Sequence, residues 1–475
     1  MMKKLRTLLY ILLLPFLLGS CNKWLDVQPE DKLTEQQIYS SREGINEVLN
    51  ALYLKLGSNN LYGQNLTLDK LDLFAHRYHA FATNALYYNY IHHDYNDEAV
   101  RKTIADIWDG LYGVIGNANQ FLANLKKYPG ILTAAQEEQY MGEALAIRSL
   151  AYFDLLRLYG PVYAQNPTAK SIPYYRTIGA VVGDFLPADQ VLQYILEDLD
   201  QAIKYLGKDP IITQNGTDNY NSYRLNLYAA QVLKARALMW RGGTADKAQA
   251  LVLAKQVITN AAKFPWIAHA NITGSAADAD RIFSTEVLFG TFNSKLYDLQ
   301  STLFSSSISE LRILSTGPGN YVETVYEGNQ GDYRFVYSWP YPSGGAVTFR
   351  TFIKYQDMSS TSLTRRFTVP LIKLSEVYYI AAECETDQAQ ALTYLNTVRQ
   401  KRNLLVNITD YSKFNAELTK EYLKEFYGEG QLWYYYKRNQ FTSIASPNNV
   451  SGVGNFPIPL ATYVFPIPDS ELSSR

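Results

Sequence analysis

The chain has 475 residues, enough for one large domain or about three of average size at roughly 150 residues each. Lys and Arg number 44 against 45 Asp and Glu, a formal charge of −1 that removes the electrostatic basis of nucleic-acid binding and of polybasic membrane binding. Apolar residues at 47% and charged residues at 19% exclude the disordered class, while 39 Tyr, each needing a hydroxyl partner if buried, place part of the aromatic content at surfaces.

The first element is a leader. Lys3, Lys4 and Arg6 precede an apolar run over residues 8–18, and a bilayer-spanning helix needs about 20 apolar residues, so the pattern predicts a signal peptide over residues 1–20. The run ends in Leu18, Gly19, Ser20 and Cys21, which resembles a bacterial lipobox and predicts cleavage before Cys21 and acylation of its thiol. Two or three acyl chains, at about 0.8 kcal/mol per buried methylene, anchor a protein without a spanning segment. Residues 21–33 read as the lipid-anchored linker and residues 34–475 as a single domain. Acylation of Cys21 leaves the other cysteine, Cys384, without an intramolecular disulfide partner.

Helices follow. Apolar residues at Ile38, Ile45, Leu49, Leu52 and Leu56 keep helical spacing over residues 33–56, with Thr34 and Gln37 as a capping box. Further helices are predicted over 103–125, over 136–159 with Gly160-Pro161 as its stop, and over 187–206. The alanine-rich stretch 226–241 ends at Gly242-Gly243, and residues 245–262, 370–384, 387–402 and 417–437 complete the set. Small residues at the contacts let partner helices approach closely. The fold expected is therefore all-α, a tetratricopeptide-like scaffold of helical pairs, although no clean 34-residue period is visible. Between about 265 and 369 helical periodicity disappears, and β-type runs such as Val287 to Phe289 and Phe335 to Tyr337 stand among Gly, Ser, Pro and Tyr. A loop this long must pack on something, so it reads as a loop-and-hairpin layer laid over the scaffold.

The residues then carry a resemblance. The mature start with Cys21, Trp24, Leu25 and Asp26, the stretch from Trp108, Asp109, Gly110, Leu111 and Tyr112 to Asn119, and the run Arg148, Tyr152, Arg157 and Gly160 resemble the SusD/RagB family. So do, in order, Lys373 with Glu376 and Glu383, Asn396 with Arg399, Glu425 with Glu429, Gly430 and Trp433, and Phe465-Pro466-Ile467-Pro468. The chain departs from the family pattern after Trp433, where Tyr434-Tyr435-Tyr436 stands in place of an Asp-Leu. The resemblance implies an outer-membrane lipoprotein facing the cell exterior that binds nutrient oligosaccharides and delivers them to a SusC-like TonB-dependent transporter, without catalysis or a cofactor. Some members handle peptides, so a peptide or glycopeptide ligand stays open.

The resemblance also implies a ligand site partly in the loop before Trp108. That loop holds four of the five histidines, with His76, Arg77, Tyr78 and His79 followed by Tyr87, Tyr88, Asn89 and Tyr90. Sugar rings stack their C–H faces on aromatic rings and offer hydroxyls to planar polar groups, so these eight are the candidate ligand residues. In the insertion, Trp339 between Ser338 and Pro340 reads as an exposed platform, with Tyr341 beside it. Asp332 and Arg334 read as an organising pair within the insertion. Asp94, Asn96 and Glu98 alternate oxygens as in a calcium loop, but Ala99 stands where the loop glycine belongs, and no metal is assigned. An all-α glycan-degrading enzyme is the distant alternative, requiring two carboxylates about 5 to 10 Å apart. Glu376, Glu383, Glu425 and Glu429 lie in helical motifs that suit ion pairs with Arg399 or Arg438, and Arg148 and Arg157 suit pairing with Glu143 or Asp154.

Overall fold

A computed structural model describes residues 34–475 except 81, 180–181, 214–221, 449–453 and 474. The leader, Cys21 and the linker to residue 33 lie outside the described residues. The expected first helix is two: the Thr34–Gln37 capping box starts Glu35–Ile38, and Ser41 then caps α1, Arg42–Leu56, by accepting from the Gly44 N–H. A second serine cap inside the periodic run breaks the helix there. Helix α2, Glu98–Lys127, begins five residues before the expected point because Asp97 accepts from the Ala99 and Val100 N–H groups. Helix α3, Ala134–Tyr159, is started by a second capping box, Thr133 with Gln136, and stops at Gly160.

Helices α4, Ala188–Tyr205, α5, Leu227–Arg241, and α6, Thr244–Thr259, follow, the last two joined by only Gly242 and Gly243. Helices α7, Leu374–Cys384, α8, Gln388–Lys401, α9, Phe414–Glu425, and α10, Gln431–Arg438, form the C-terminal set. The expected single helix over 417–437 is split into α9 and α10. Gly428 and Gly430 take φ of +71° and +66°, and a Cβ on Gly430 would lie 2.0 Å from the Leu66 carbonyl oxygen, so only glycine makes this turn.

Neighbouring helices pack in series, α2 on α3, α3 on α4, α4 on α5, α5 on α6, α6 on α7 and α7 on α8. The fold is all-α with tetratricopeptide-like helical pairs. Because α6 packs on α7 although the insertion separates them in sequence, the insertion is looped out between two adjacent members of the stack. Its neck is closed by two strands that the sequence only half suggests: β1, Val287–Phe292, pairs antiparallel with β2, Thr368–Lys373, with Gly290 opposite Pro370. Residues 370–373, expected to begin a helix, belong to β2 instead. The run Phe335 to Tyr337 is also not a strand: Asp332 accepts from the Arg334 N–H and caps one helical turn, Tyr333–Val336.

The insertion is pinned to the scaffold by buried charge. Arg334 donates to Asp332 at 2.7 Å, Glu421 at 2.9 Å and Glu425 at 3.1 Å. Arg402 joins Glu286 at 2.7 Å to Glu425 at 2.8 Å, and Lys373 reaches Glu425 at 3.0 Å and Glu429 at 2.7 Å. Lys354, from the insertion, also pairs with Glu429. Burial alone would raise the Glu425 carboxyl, but Arg402 and Lys373 outweigh it and hold that group well below the carboxylate range. Such pairs add little net stability, yet removing one partner strands the others in the interior. The Asp332–Arg334 pair thus organises the insertion as the sequence suggested.

The four glutamates expected in helical motifs are engaged by cations, Glu376 by Arg236, Glu383 by Arg438, and Glu425 and Glu429 by the network, Glu429 from the turn between α9 and α10. Arg399 turns to Glu421 and Glu417 rather than to any of these four. Arg157 pairs with Asp154 as anticipated, whereas Arg148 takes Asp198 through two 2.8 Å contacts, and Glu143 is taken by Arg224 and the Tyr53 hydroxyl.

Candidate functional site

The histidine- and tyrosine-rich loop runs mostly inward. His76, Arg77 and Tyr78 are fully buried, which corrects the expectation that they face a ligand. His76 and His93 both adopt left-handed φ, and their rings lie 5.4 Å apart with Phe456 4.1 Å from His76. His76 Nδ1 meets Ser446 Oγ at 2.8 Å, and His93 Nε2 meets the Phe74 carbonyl at 2.9 Å. Burial lowers His76 well below the ordinary imidazole value and brings His93 to about 4, so both stay neutral. The Arg77 guanidinium stacks on the Tyr427 ring at 3.4 Å and donates to the Leu423 carbonyl. Tyr78 donates to the Leu68 carbonyl at 2.9 Å.

Tyr87 and Tyr90 are buried as well, with Lys70 Nζ 4.9 Å and 5.1 Å from their ring centroids. The Tyr90 hydroxyl sits 2.8 Å from Thr103 Oγ1, and Asn89 Nδ2 donates to Asp97 at 2.6 Å, bracing the start of α2. Tyr88, half-buried, rests its ring 4.1 Å from that of His92. Trp339 is wholly buried, against Phe352 at 4.8 Å and Tyr427 at 4.9 Å, so it is a core residue and not a platform. Asp94 accepts from the Asn96 N–H at 3.0 Å as a turn, and among the described residues no three His, Cys, Asp or Glu side chains converge as metal ligands do.

What remains at the surface is one face assembled from three segments. The His79 N–H donates to the Ser315 carbonyl at 2.7 Å, and the Leu86 N–H to the Leu311 carbonyl at 2.9 Å. Ser306 Oγ donates to the Gly344 carbonyl at 2.8 Å, while the Ser306 carbonyl accepts from the Ala346 N–H at 2.7 Å. These bonds bring residues 79–80 and 82–86, 306–317 and 344–346 edge to edge. Gly317 sits under the half-buried His79 with φ of +75°, where a Cβ would fall 2.7 Å from His79 Cγ. Burial lowers the His79 imidazole and the Glu310 carboxylate opposes that shift.

Tyr341, three positions before Gly344, is 61% exposed. Behind it the Arg350 guanidinium lies 4.2 Å from its ring centroid and 4.7 Å from that of buried Phe335. Arg350 is pinned in turn by Glu323 Oε1 at 2.5 Å and the Trp339 carbonyl at 2.6 Å. One ring face is therefore backed by a fixed cation, and the side chain is open to solvent. Of the ten ligand candidates, Tyr341 alone is strongly exposed, His79, Tyr88 and Asn89 are intermediate, and six are interior. Sequence reasoning missed Glu323 and Arg350, whose only signal was a charged residue on either side of an aromatic cluster, and the serines at 305–307 and 309, a polar run without aromatic residues.

A family model described as starch-binding associating with outer membrane matches residues 23–219, and one described as the SusD family matches residues 316–475. The SusD-like protein P25 of Formosa agariphila is 26% identical over 252 residues, 50% of this chain and 45% of that protein. The chain spans less than half the length of the curated relatives it matches. A solved SusD superfamily protein from Bacteroides thetaiotaomicron superposes with a TM-score of 0.70 at 20% identity, over 91% of this chain and 98% of that one. A SusD-like carbohydrate binding protein from Bacteroides vulgatus also gives 0.70, at 16% identity, over 92% and 96%. At these identities the structural likeness is one of fold.

Proposed function

This chain belongs to the SusD family, and from that membership we propose that it is a non-catalytic outer-membrane lipoprotein that captures nutrient oligosaccharides and delivers them to a SusC-like TonB-dependent transporter. The carrying observation is Tyr341, an exposed ring held from behind by Arg350 and three positions from Gly344, where the serine-rich rim of residues 305–309 is joined through Ser306. Such a ring stacks a sugar's C–H face while hydroxyls of the rim and of water satisfy the sugar's own. Stacking contributes about 1 kcal/mol per ring beyond area burial, so a shallow site of this kind binds in the micromolar to millimolar range. Weak binding suits hand-over to a transporter. Among the described residues no helix is long and apolar enough to cross a membrane. Acylated Cys21 supplies the anchor in this reading, residues 21–33 the tether, and residues 34–475 one binding domain.

A second reading, a peptide ligand, draws on Leu86 and Leu311, both exposed and joined backbone to backbone on the same face, because such a step takes an apolar side chain. Titration calorimetry of the chain from Asn22 onward against defined neutral oligosaccharides and a tryptic peptide pool separates the two. Heat with one glycan class that falls in Tyr341→Ala supports capture of glycans. Heat with peptides alone replaces that reading with the second.

A further inference from the structure

Helix α2 forms one wall of a groove of about 390 Å³, to which it contributes Tyr112, Ile115 and Gly116, while Tyr175, Ile178 and Val182 form the other wall. The polar groups between these walls are committed to one another. The Tyr112 hydroxyl donates to the Pro173 carbonyl at 2.8 Å, and the Tyr175 hydroxyl accepts from the Gly183 N–H at 3.1 Å. Asn119 donates to the Tyr175 carbonyl at 2.9 Å and accepts from Arg148 at 2.7 Å. What the groove offers an occupant is therefore ring faces and aliphatic side chains. Ile178 and Val182 stand 53% and 51% exposed at its rim, apolar area whose burial is favourable.

Helix α2 also receives the first described residues. Glu35 accepts from Lys127 Nζ at 2.7 Å, from the Tyr128 hydroxyl at 3.0 Å and from Gln120 Nε2 at 3.4 Å. Gly116, one turn before Gln120, is exposed, and a Cβ there would meet no described atom within 4 Å, so the helix offers an open track from Gln120 to the groove. The far end, Tyr112, lies eight residues before Gln120, about 12 Å along the axis. Trp24 stands ten residues before Thr34, a length that spans up to about 33 Å when extended. Trp24 and Leu25 are the one pair of adjacent large apolar residues in the stretch 22–33. Tied to residue 35, they meet the groove at an effective concentration on the order of millimolar, which a free partner at micromolar concentration does not match.

We propose that this groove is the docking site of the chain's own N-terminal segment, with Trp24 and Leu25 seated between α2 and the side chains of Ile178 and Val182. Cys21 then lies three residues, at most about 10 Å, from the seated indole. Resting on the reading of Cys21 as the lipid anchor, docking decides which face of the domain is held to the membrane, that of α2 and Ile178.

The test uses the mature chain from Asn22 onward, in which buried Cys384 is the one native cysteine. Lys23→Cys is combined with Thr177→Cys at the groove and, separately, with Val252→Cys, an exposed position on α6, whose neighbours in the stack are α5 and α7. Neither pair removes Trp24, Leu25 or an apolar residue of the groove. A short bismaleimide is added at low protein concentration and its products are read by mass spectrometry of the digest. Positions 23 and 177 are expected to join about tenfold faster than 23 and 252, and Trp24→Ala to bring the first rate down to the second. Equal rates without Trp24→Ala overturn the proposal and leave the groove to another apolar partner. Joining between two chains in place of joining within one also overturns it, and assigns the groove to a second copy. Because the chain tested lacks Cys21, a failure here leaves the lipid anchor standing, and the anchor is decided apart from it by fractionation of cells carrying Cys21→Ala.

Discussion

Arg350 lies over the ring of Tyr341, 4.2 Å from the ring centroid, and is itself fixed by Glu323 and by the carbonyl of Trp339. The exposed ring of Tyr341 is thereby tied to the backbone of a wholly buried residue two positions away. A ring already held in place loses little rotamer freedom on stacking, so a larger share of the contact energy appears as affinity.

Tyr341→Ala is expected to weaken oligosaccharide binding by about 1 kcal/mol, close to fivefold, with far-UV circular dichroism unchanged. Arg350→Lys keeps the charge but loses the planar guanidinium, and a smaller loss is expected. Affinity gel electrophoresis reads both, and unaltered retention in Tyr341→Ala removes that ring from the site.

Trp339→Ala behaves differently because the ring is core. A loss of about 3 to 5 kcal/mol in chemical denaturation is expected, as for other large-to-small changes in an interior. A variant as stable as the parent would show that the ring is not packed between Phe352 and Tyr427.

Acid should loosen the insertion. Burial would raise the Glu421 carboxyl, but Arg334, Lys424 and Arg399 outweigh burial and lower it to about 2, against an ordinary value of 4.5. Between those values the unfolded chain binds the extra proton, so the stability Glu421 contributes is complete above about 4.5 and is lost as the pH falls toward 2. Glu421→Gln is expected to cost about 3 to 5 kcal/mol at pH 7 and to flatten the Tm profile over that acid range. A variant with the parent's slope would assign the acid sensitivity to other carboxylates.

Gly317→Ala puts a Cβ against His79 and a non-glycine residue in left-handed backbone. The expected cost is about 1 to 2 kcal/mol, with a changed His79 imidazole resonance by NMR. An unshifted resonance would mean that this segment does not support the rim.

Cys21→Ala is expected to move the protein from the membrane fraction to the soluble fraction of cells. Continued sedimentation with membranes would refute the lipid anchor.

The helices were legible because their signals are local. Thr34 with Gln37, Thr133 with Gln136, Gly160 and Gly242 cap or stop helices through neighbours a few residues away, and apolar spacing marks the buried stripe of each. The ordered motifs from Trp108 to Phe465 were legible for the same reason, as was the pairing of Asp332 with Arg334. Whether an aromatic ring faces a sugar or the core is not a local property. Tyr78, Tyr90 and Trp339 have the composition of a binding loop, yet Tyr78 and Tyr90 find hydroxyl partners at Leu68 and Thr103, and Trp339 packs between Phe352 and Tyr427, the latter 88 positions away. Residue type states what a side chain needs, and only the tertiary structure supplies or withholds it. That is why the scaffold could be read from the order of residues, while Tyr341, backed by Arg350, emerged as the exposed ring only once the insertion was folded onto helices more than seventy residues away.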